Sequence, residues 1–285
     1  MKVLVTGIGG QLGHDCMLEL KKDSFFNGFG VDINDLDITN EDDVLNFVRK
    51  IRPDVIIHCA AWTNVDGAEK SKEKAYSVNV LGTKYIVEAA KFVNAKVLYI
   101  STDYVFDGSG SKPFQTESKT NPLNYYGITK LGGEENVRNY KKSFIVRTSW
   151  VFGLNGNNFV KTMINLSEKN DELSIVGDQV GSPTYTKDLA VLIVNMIRTE
   201  KYGIYHATNE GFCSWAEFAN EIFKKLNRTI SIHNVTTEEF ERIRPNQAKR
   251  PLNSRLDKTC LDGAGFKRLP TWEDALSRYL KEIGF

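Results

Sequence analysis

Val55-Ile56-Ile57, inside the run Pro53–Ala60, has no polar alternation, so a strand made from it has no face to offer water. Such strands belong to parallel sheets covered on both sides, and parallel neighbours require crossover helices between them. The rest of the first half fits that demand. Lys2–Thr6, Phe29–Asp32, Lys96–Ser101 and Phe144–Thr148 read as further buried strands. Between them, Gln11–Lys22, Glu41–Ile51, Gly82–Asn94 and Tyr126–Tyr140 read as helices; in the second of these Val44, Phe47, Val48 and Ile51 fall on one face. The expected class is α/β, a doubly wound parallel sheet.

Past Trp150 the rhythm changes. Gly153–Asn158 and Gly177–Pro183 are rich in Gly, Asn and Pro, and helices are expected at about 158–169, 186–200, 214–226 and 271–282. The expected organisation is a first domain over 1–150 and a smaller C-terminal substrate lobe over 151–285. The two are interleaved, because a strand near 204–208 can return to the main sheet. A cleft between two such units is a favoured place for a small ligand.

Composition narrows the partners. Lys plus Arg number 37 and Asp plus Glu 36, a net charge of +1, so nothing global draws the chain to nucleic acid or to a membrane surface. Cys16, Cys59, Cys213 and Cys260 are dispersed, as are the 4 histidines, and neither set has metal-ligand spacing. Met1-Lys2 runs straight into Val3-Leu4-Val5, and no apolar run reaches about 18 residues, so a cytoplasmic protein without a membrane span is expected.

Gly7-Ile8-Gly9-Gly10-Gln11-Leu12-Gly13 lies between the first strand and the first helix. Glycines at 7, 10 and 13 permit a tight turn, close backbone approach to a pyrophosphate and close helix packing, and the helix start presents free N–H groups to the phosphates. Asp32 ends the second strand, at the distance where a dinucleotide site places a ribose-binding acid. It is either that acid or a solvated member of a loop that also holds Asp35 and Asp37. Tyr126 and Lys130 are four residues apart, on one helical face. A cation near a phenol favours proton exchange.

In these residues the chain resembles the extended short-chain dehydrogenase/reductase family, whose fold is the Rossmann type. The resemblance rests on Gly7–Gly13, Asp37-Ile38, Cys59-Ala60-Ala61, Asn79 within Val78–Thr83, Ser101-Thr102-Asp103 and Tyr126 with Lys130. His58–Asp66, Ser101–Gly108, Arg147–Phe152, Asp178–Thr184 and Arg250–Leu256 look more narrowly like the reductases of 4-keto-6-deoxy nucleotide sugars, over essentially the whole chain.

The resemblance implies that Tyr126 is the general acid toward the sugar C4 oxygen, that Thr102 hydrogen-bonds the same oxygen, and that Lys130 binds the nicotinamide ribose and lowers the phenol's pKa. It implies a cofactor site of Gly7, Gly10, Gln11, Leu12, Gly13, Asp32, Asp37 and Ile38, continued by Ala60, Ala61, Trp62, Thr63, Asn79, Tyr126 and Lys130. For the sugar nucleotide it implies Thr102, Asp103, Trp150, Asn158, Gln179 and Arg255. Trp150 is either a wall of the sugar site or a core residue, since large aromatics fill cores. NADH is the expected cofactor, because a carboxylate at Asp32 would repel a 2′-phosphate, with NADPH possible.

Two departures matter. Related dehydratases carry Glu where this chain has Tyr104, which disfavours dehydration here. Some relatives dimerise around Mg²⁺ held by glutamates; the first of those places resembles Asp15 here, and the Lys187-Asp188 region offers no clear counterpart to another, so no metal is expected, and a monomer or a homodimer is expected. Alternative readings are a non-catalytic dinucleotide-binding regulatory subunit of the methionine adenosyltransferase type and a nucleotide-sugar epimerase.

Overall fold

Apolar runs without alternation need cover on both faces, and the chain wraps its sheet accordingly. In the computed structural model, which describes residues 1–285, β1 (Lys2–Thr6) leads through α1 (Gln11–Leu20), β2 (Asn27–Val31) and α2 (Glu41–Ile51) to β3 (Val55–His58). Short helices α3 (Val65–Lys70) and α4 (Lys72–Tyr76) follow, then a π-helical turn, Ser77–Gly82, that runs into α5 (Thr83–Val93). β4 (Lys96–Thr102), α6 (Tyr125–Arg138) and β5 (Ser143–Thr148) complete the first half.

The second half begins with β6 (Val151–Phe152), α7 (Phe159–Leu166), β7 (Glu172–Val176), β8 (Val180–Gly181) and β9 (Thr184–Tyr185). It continues with α8 (Thr186–Ile197), β10 (Gly203–His206), β11 (Cys213–Ser214), α9 (Trp215–Lys225) and β12 (Ser231–Val235). α10 (Thr237–Ile243), α11 (Thr259–Gly263) and α12 (Trp272–Glu282) end it.

Six parallel strands form the central sheet in the order β10-β5-β4-β3-β1-β2. Alternate side chains serve opposite faces. Val3, Val5, Val55 and Ile57 pack toward α1 and α8 with Leu12, Cys16, Leu189 and Ile193. Leu4 and Ile56 pack the other way, with Val44, Val48, Ile86 and Val137 of α2, α5 and α6. A third core, around Phe152, Phe218, Trp272 and Tyr279, belongs to the second half. No helix is long and apolar enough to cross a membrane.

Strand order reverses at β1, which has β2 on one side and β3 on the other. A crevice opens beyond the strand ends at such a reversal. The glycine loop after β1 and the Cys59–Thr63 segment after β3 both empty into it.

Differences from the sequence expectations are local. β2 starts two residues earlier than expected, so Asp32 stands just beyond it, and α1 and α6 end at Leu20 and Arg138. α2 has its expected ends because Asn40 accepts the Asp43 N–H, Glu41 to Asp43 open the helix and Arg49 and Lys50 close it. The returning strand is β10, with Gly203 opposite Phe144 of β5. The parallel pair β7–β12, α10 and α11 were not foreseen.

Candidate active site

One cavity of about 1090 Å³ runs from the glycine loop, over the ends of β1, β3, β4 and β5, to the second lobe. Its floor is a backbone cradle. Gly7 has a φ of +73°, and a Cβ there would come within 2.7 Å of the Ala60 nitrogen; one at Gly13 would lie 2.3 Å from the Gly7 carbonyl oxygen. Gly10 caps α1 with no side-chain acceptor, so the first N–H groups of that helix stay free for an anion. Gly7, Gly10, Gln11, Leu12 and Gly13 all line the cavity, as do Ala60, Ala61, Trp62 and Thr63 from the facing loop.

Asp32, Asp37 and Ile38 form the far wall. The Asp32 carboxylate accepts the Gly9 N–H at 2.8 Å and, through its other oxygen, the Ile33 N–H at 2.8 Å. It is therefore a fixed part of the cradle, not a free loop acid, and each oxygen retains a lone pair for a further donor. Asp37 closes a local turn on Thr39.

Asn79 does not line the cavity. It is buried in the π-helical turn, where its amide accepts the Trp62 N–H at 2.8 Å and donates to the Trp62 carbonyl and to Thr129 Oγ1. All of its side chain is spent on bracing the loop after β3 against α6.

Tyr126 and Lys130 lie on the first turns of α6, which Asn124 caps by accepting the Gly127 N–H at 2.8 Å. Gly127 lets that turn sit on the Tyr104 backbone, since a Cβ would be 2.3 Å from the Tyr104 carbonyl oxygen. Thr102, at the end of β4, donates to Asp103 Oδ1 at 3.0 Å and accepts the Tyr104 N–H. Burial holds the Tyr126 phenol well above the ordinary tyrosine range; the Asp103 carboxylate adds to this, and hydrogen bonding with Thr102 opposes it. The Lys130 ammonium, 4.1 Å from the centre of the Tyr99 ring, is pushed down to about 7 by burial, with Glu134 and Cys59 pulling it back up. Burial sets the direction of the phenol's shift in this arrangement, so the phenol is a protonated donor at neutral pH. Asp103 is raised to about 6 by burial, against hydrogen bonds with Ser254 and Thr102, and its Oδ2 has no partner.

Beneath these groups, Glu134 binds Arg147 through two hydrogen bonds of 2.8 Å and accepts Ser101 Oγ at 2.6 Å. Burial alone would raise Glu134, but hydrogen bonds and charge from Arg147 leave it below the ordinary carboxylate value.

At the seam with the second lobe, Trp150 lines the cavity with a φ of +51°, a left-handed backbone that costs a non-glycine residue about 1–3 kcal/mol. Asn158, Gln179 and Arg255 do not line it. Asn158 caps α7 and donates to Gln11 Oε1, the Gly153 carbonyl and Tyr279. Gln179 joins Thr237 to Trp215, and Arg255 donates to Asn253 while lying over Phe212. The Asn158 amide thus ties the second lobe to Gln11 of α1, Gln179 is engaged within the lobe, and of the Arg255 guanidinium Nη1 is engaged, with Asn253. Two further cavity residues matter: Tyr104, read from sequence as the residue in place of a dehydratase Glu, and Trp215, which sequence reading missed. Tyr104 packs edge-on against Tyr126, with ring centres 5.7 Å apart. Trp215 also faces the cavity, and its signal was the Ser214-x-x-Glu217 capping box that puts it first in α9, at the cleft.

The family model of the RmlD substrate binding domain matches residues 1–285. A crystal structure of a dTDP-4-dehydrorhamnose reductase from Clostridium acetobutylicum superposes with a TM-score of 0.96 at 42% identity, covering 100% of both chains. A dTDP-4-dehydrorhamnose reductase from Bacillus anthracis, solved in complex with NADP, gives 0.94 at 44% identity and 99% of each chain. The spore coat polysaccharide biosynthesis protein SpsK of Bacillus subtilis is 40% identical over 282 residues, 99% of this chain and 97% of that one.

Proposed function

The chain belongs to the RmlD substrate binding domain family, and we propose that it reduces the C4 keto group of dTDP-4-dehydro-L-rhamnose to give dTDP-L-rhamnose. It is an NAD(P)H-dependent oxidoreductase of the short-chain dehydrogenase/reductase fold. The observation that carries the residue assignment is the meeting of the glycine cradle, Thr102, Tyr126, Lys130 and Trp150 on one cavity.

A nicotinamide dinucleotide suits this cavity, because the glycines at 7 and 13 leave the space that a Cβ would fill and α1 offers free N–H groups. When bound, the reduced cofactor supplies the hydride. The chain's own residues do the rest. Gly7, Gly10 and Gly13 admit the pyrophosphate to the backbone, and Lys130 donates to ribose hydroxyls. Tyr126 holds the C4 oxygen, and Thr102 joins it by turning its one hydroxyl proton from Asp103 to the substrate. Tyr126 hands it the phenolic proton as negative charge develops there, and burial keeps that proton in place until it is needed. Trp150 bounds the sugar, limiting where C4 can lie. Residues 1–150, completed by β10, hold the cofactor and bring Thr102, Tyr126 and Trp150 to the sugar, and residues 151–285 mainly close over the sugar nucleotide.

NADH is the preferred reductant on this reading. Asp32 is fixed in the cradle with Asp35 and Asp37 beside it, and no lysine or arginine occurs between residues 31 and 48 of this wall. The test adds dTDP-4-dehydro-L-rhamnose to protein and cofactor and follows nicotinamide absorbance. Steady oxidation, with higher kcat/KM for NADH than for NADPH, supports both statements. Equal values for the two cofactors contradict the role of Asp32, and no oxidation of either contradicts the function.

A further inference from the structure

Trp150 does not stand alone. The indole of Trp215 lies over it with ring centres 3.6 Å apart and planes 11° from parallel. Isolated aromatic pairs prefer offset or edge-to-face arrangements at larger separations, so the surroundings impose this stack. Four features impose it. β8 and β11 pair antiparallel, Gly181 opposite Cys213 and Val180 opposite Ser214, which brings Trp215 and Gly181 to the same place. Gly181 carries no side chain there, and a Cβ would lie 2.9 Å from Trp150 Cε2. Gln179 Oε1 accepts the Trp215 indole N–H at 3.2 Å, while its Nε2 donates to Thr237 Oγ1 at 3.1 Å. Thr237 in turn donates to Asp178 at 2.7 Å. Phe159 closes the outer side, 4.5 Å from Trp215.

We propose that Trp215 is a positioning residue for the sugar: stacked on Trp150 and tethered through Gln179, it fixes where the cavity-facing Trp150 lies. This rests on reading the cavity as the nucleotide-sugar site. Gln179, Thr237 and Asp178 then act on the sugar through the stack. The left-handed backbone of Trp150 fits the same account, since a backbone of that kind persists only where its surroundings hold it.

The test compares Trp215→Leu, Trp215→Phe and Gln179→Leu with the unaltered protein. It records melting temperature, NADH Kd, steady-state kinetics with dTDP-4-dehydro-L-rhamnose, and the exciton couplet that stacked indoles give in circular dichroism. In Trp215→Leu the couplet is lost and sugar KM rises about two- to tenfold, the worth of one aromatic pair, while NADH Kd stays put. Trp215→Phe recovers most of the KM but not the couplet, and Gln179→Leu weakens both in part. Unchanged KM and kcat in Trp215→Leu overturn the proposal, and so does a rise in NADH Kd equal to the rise in sugar KM. Should Trp215→Leu fail to fold, Gln179→Leu decides, with a reduced couplet beside an unchanged sugar KM as the contradicting result. No turnover by the unaltered protein is a separate outcome: it removes the reductase reading and the positioning role with it.

Discussion

A phenol donates a proton to a developing alkoxide only if it still holds that proton at working pH, and Tyr126 is buried so that it does. Tyr126→Phe keeps the ring and removes the donor. Its kcat falls about 10²–10⁴-fold, the usual worth of a general acid, while NADH Kd measured by fluorescence is unchanged. Undiminished turnover would remove Tyr126 from the mechanism. Lys130 gives a pH dependence. With its pKa near 7 in the free protein, it is charged below that pH and neutral above it. A cofactor held by the ammonium is bound with uptake of a proton above pH 7, so its Kd rises there by up to about tenfold per pH unit. Titration calorimetry between pH 6 and 9 measures this, and Lys130→Met flattens the profile; a flat profile in the unaltered protein would contradict the assignment. At this scale the glycines, Tyr126 and Lys130 were legible, because their geometry follows from a turn and a single helix. The burial of Lys130 was not, since it lies against Tyr99 of a strand 31 residues away. The engagement of Asn158 with Gln11 was hidden for the same reason: its partner lies 147 residues off.

The elements that carry the site are pinned from below. Glu134 ties α6 to Arg147 of β5 and to Ser101 of β4, and both ions are fully buried. Glu134→Leu leaves the Arg147 guanidinium without its carboxylate, a loss of about 3–5 kcal/mol. Denaturant unfolding should show that loss, and adding Arg147→Leu should recover part of it, because the ion then left unpaired is the half-exposed Arg138 and no longer a buried one. A single variant as stable as the parent would mean that the pair is idle. Helix ends were readable where caps and end charges agree, as in α2. The β7–β12 pair was not, because Glu172–Val176 and Ser231–Val235 are short, half-exposed runs whose only strong signal is each other. The π-helical turn at Ser77–Gly82 likewise answers to Asn79 and its distant partners, not to local propensity.

Across the whole molecule, the reversal of strand order at β1 decides where the chemistry sits. It sets the glycine loop beside the Cys59–Thr63 loop, places the ends of β4 and β5 next along the same edge, and leaves Trp150 and the second lobe's Trp215 to close the far side. This much was legible, since uninterrupted apolar strands and intervening helices admit few arrangements. The second lobe's contribution was not, because its side chains converge from segments that only the fold brings together. The central claim is that this cavity moves a hydride from a nicotinamide to C4 of a dTDP-linked sugar. Incubation of dTDP-4-dehydro-L-rhamnose with NADH deuterated on the transferred face, followed by NMR of the product, tests it directly. The account predicts one deuterium at sugar C4 for each NADH oxidised, with the label appearing more slowly in Tyr126→Phe in proportion to its lowered kcat. Bound cofactor that transfers no deuterium, or a sugar altered at C4 with no net NADH oxidation, would contradict it.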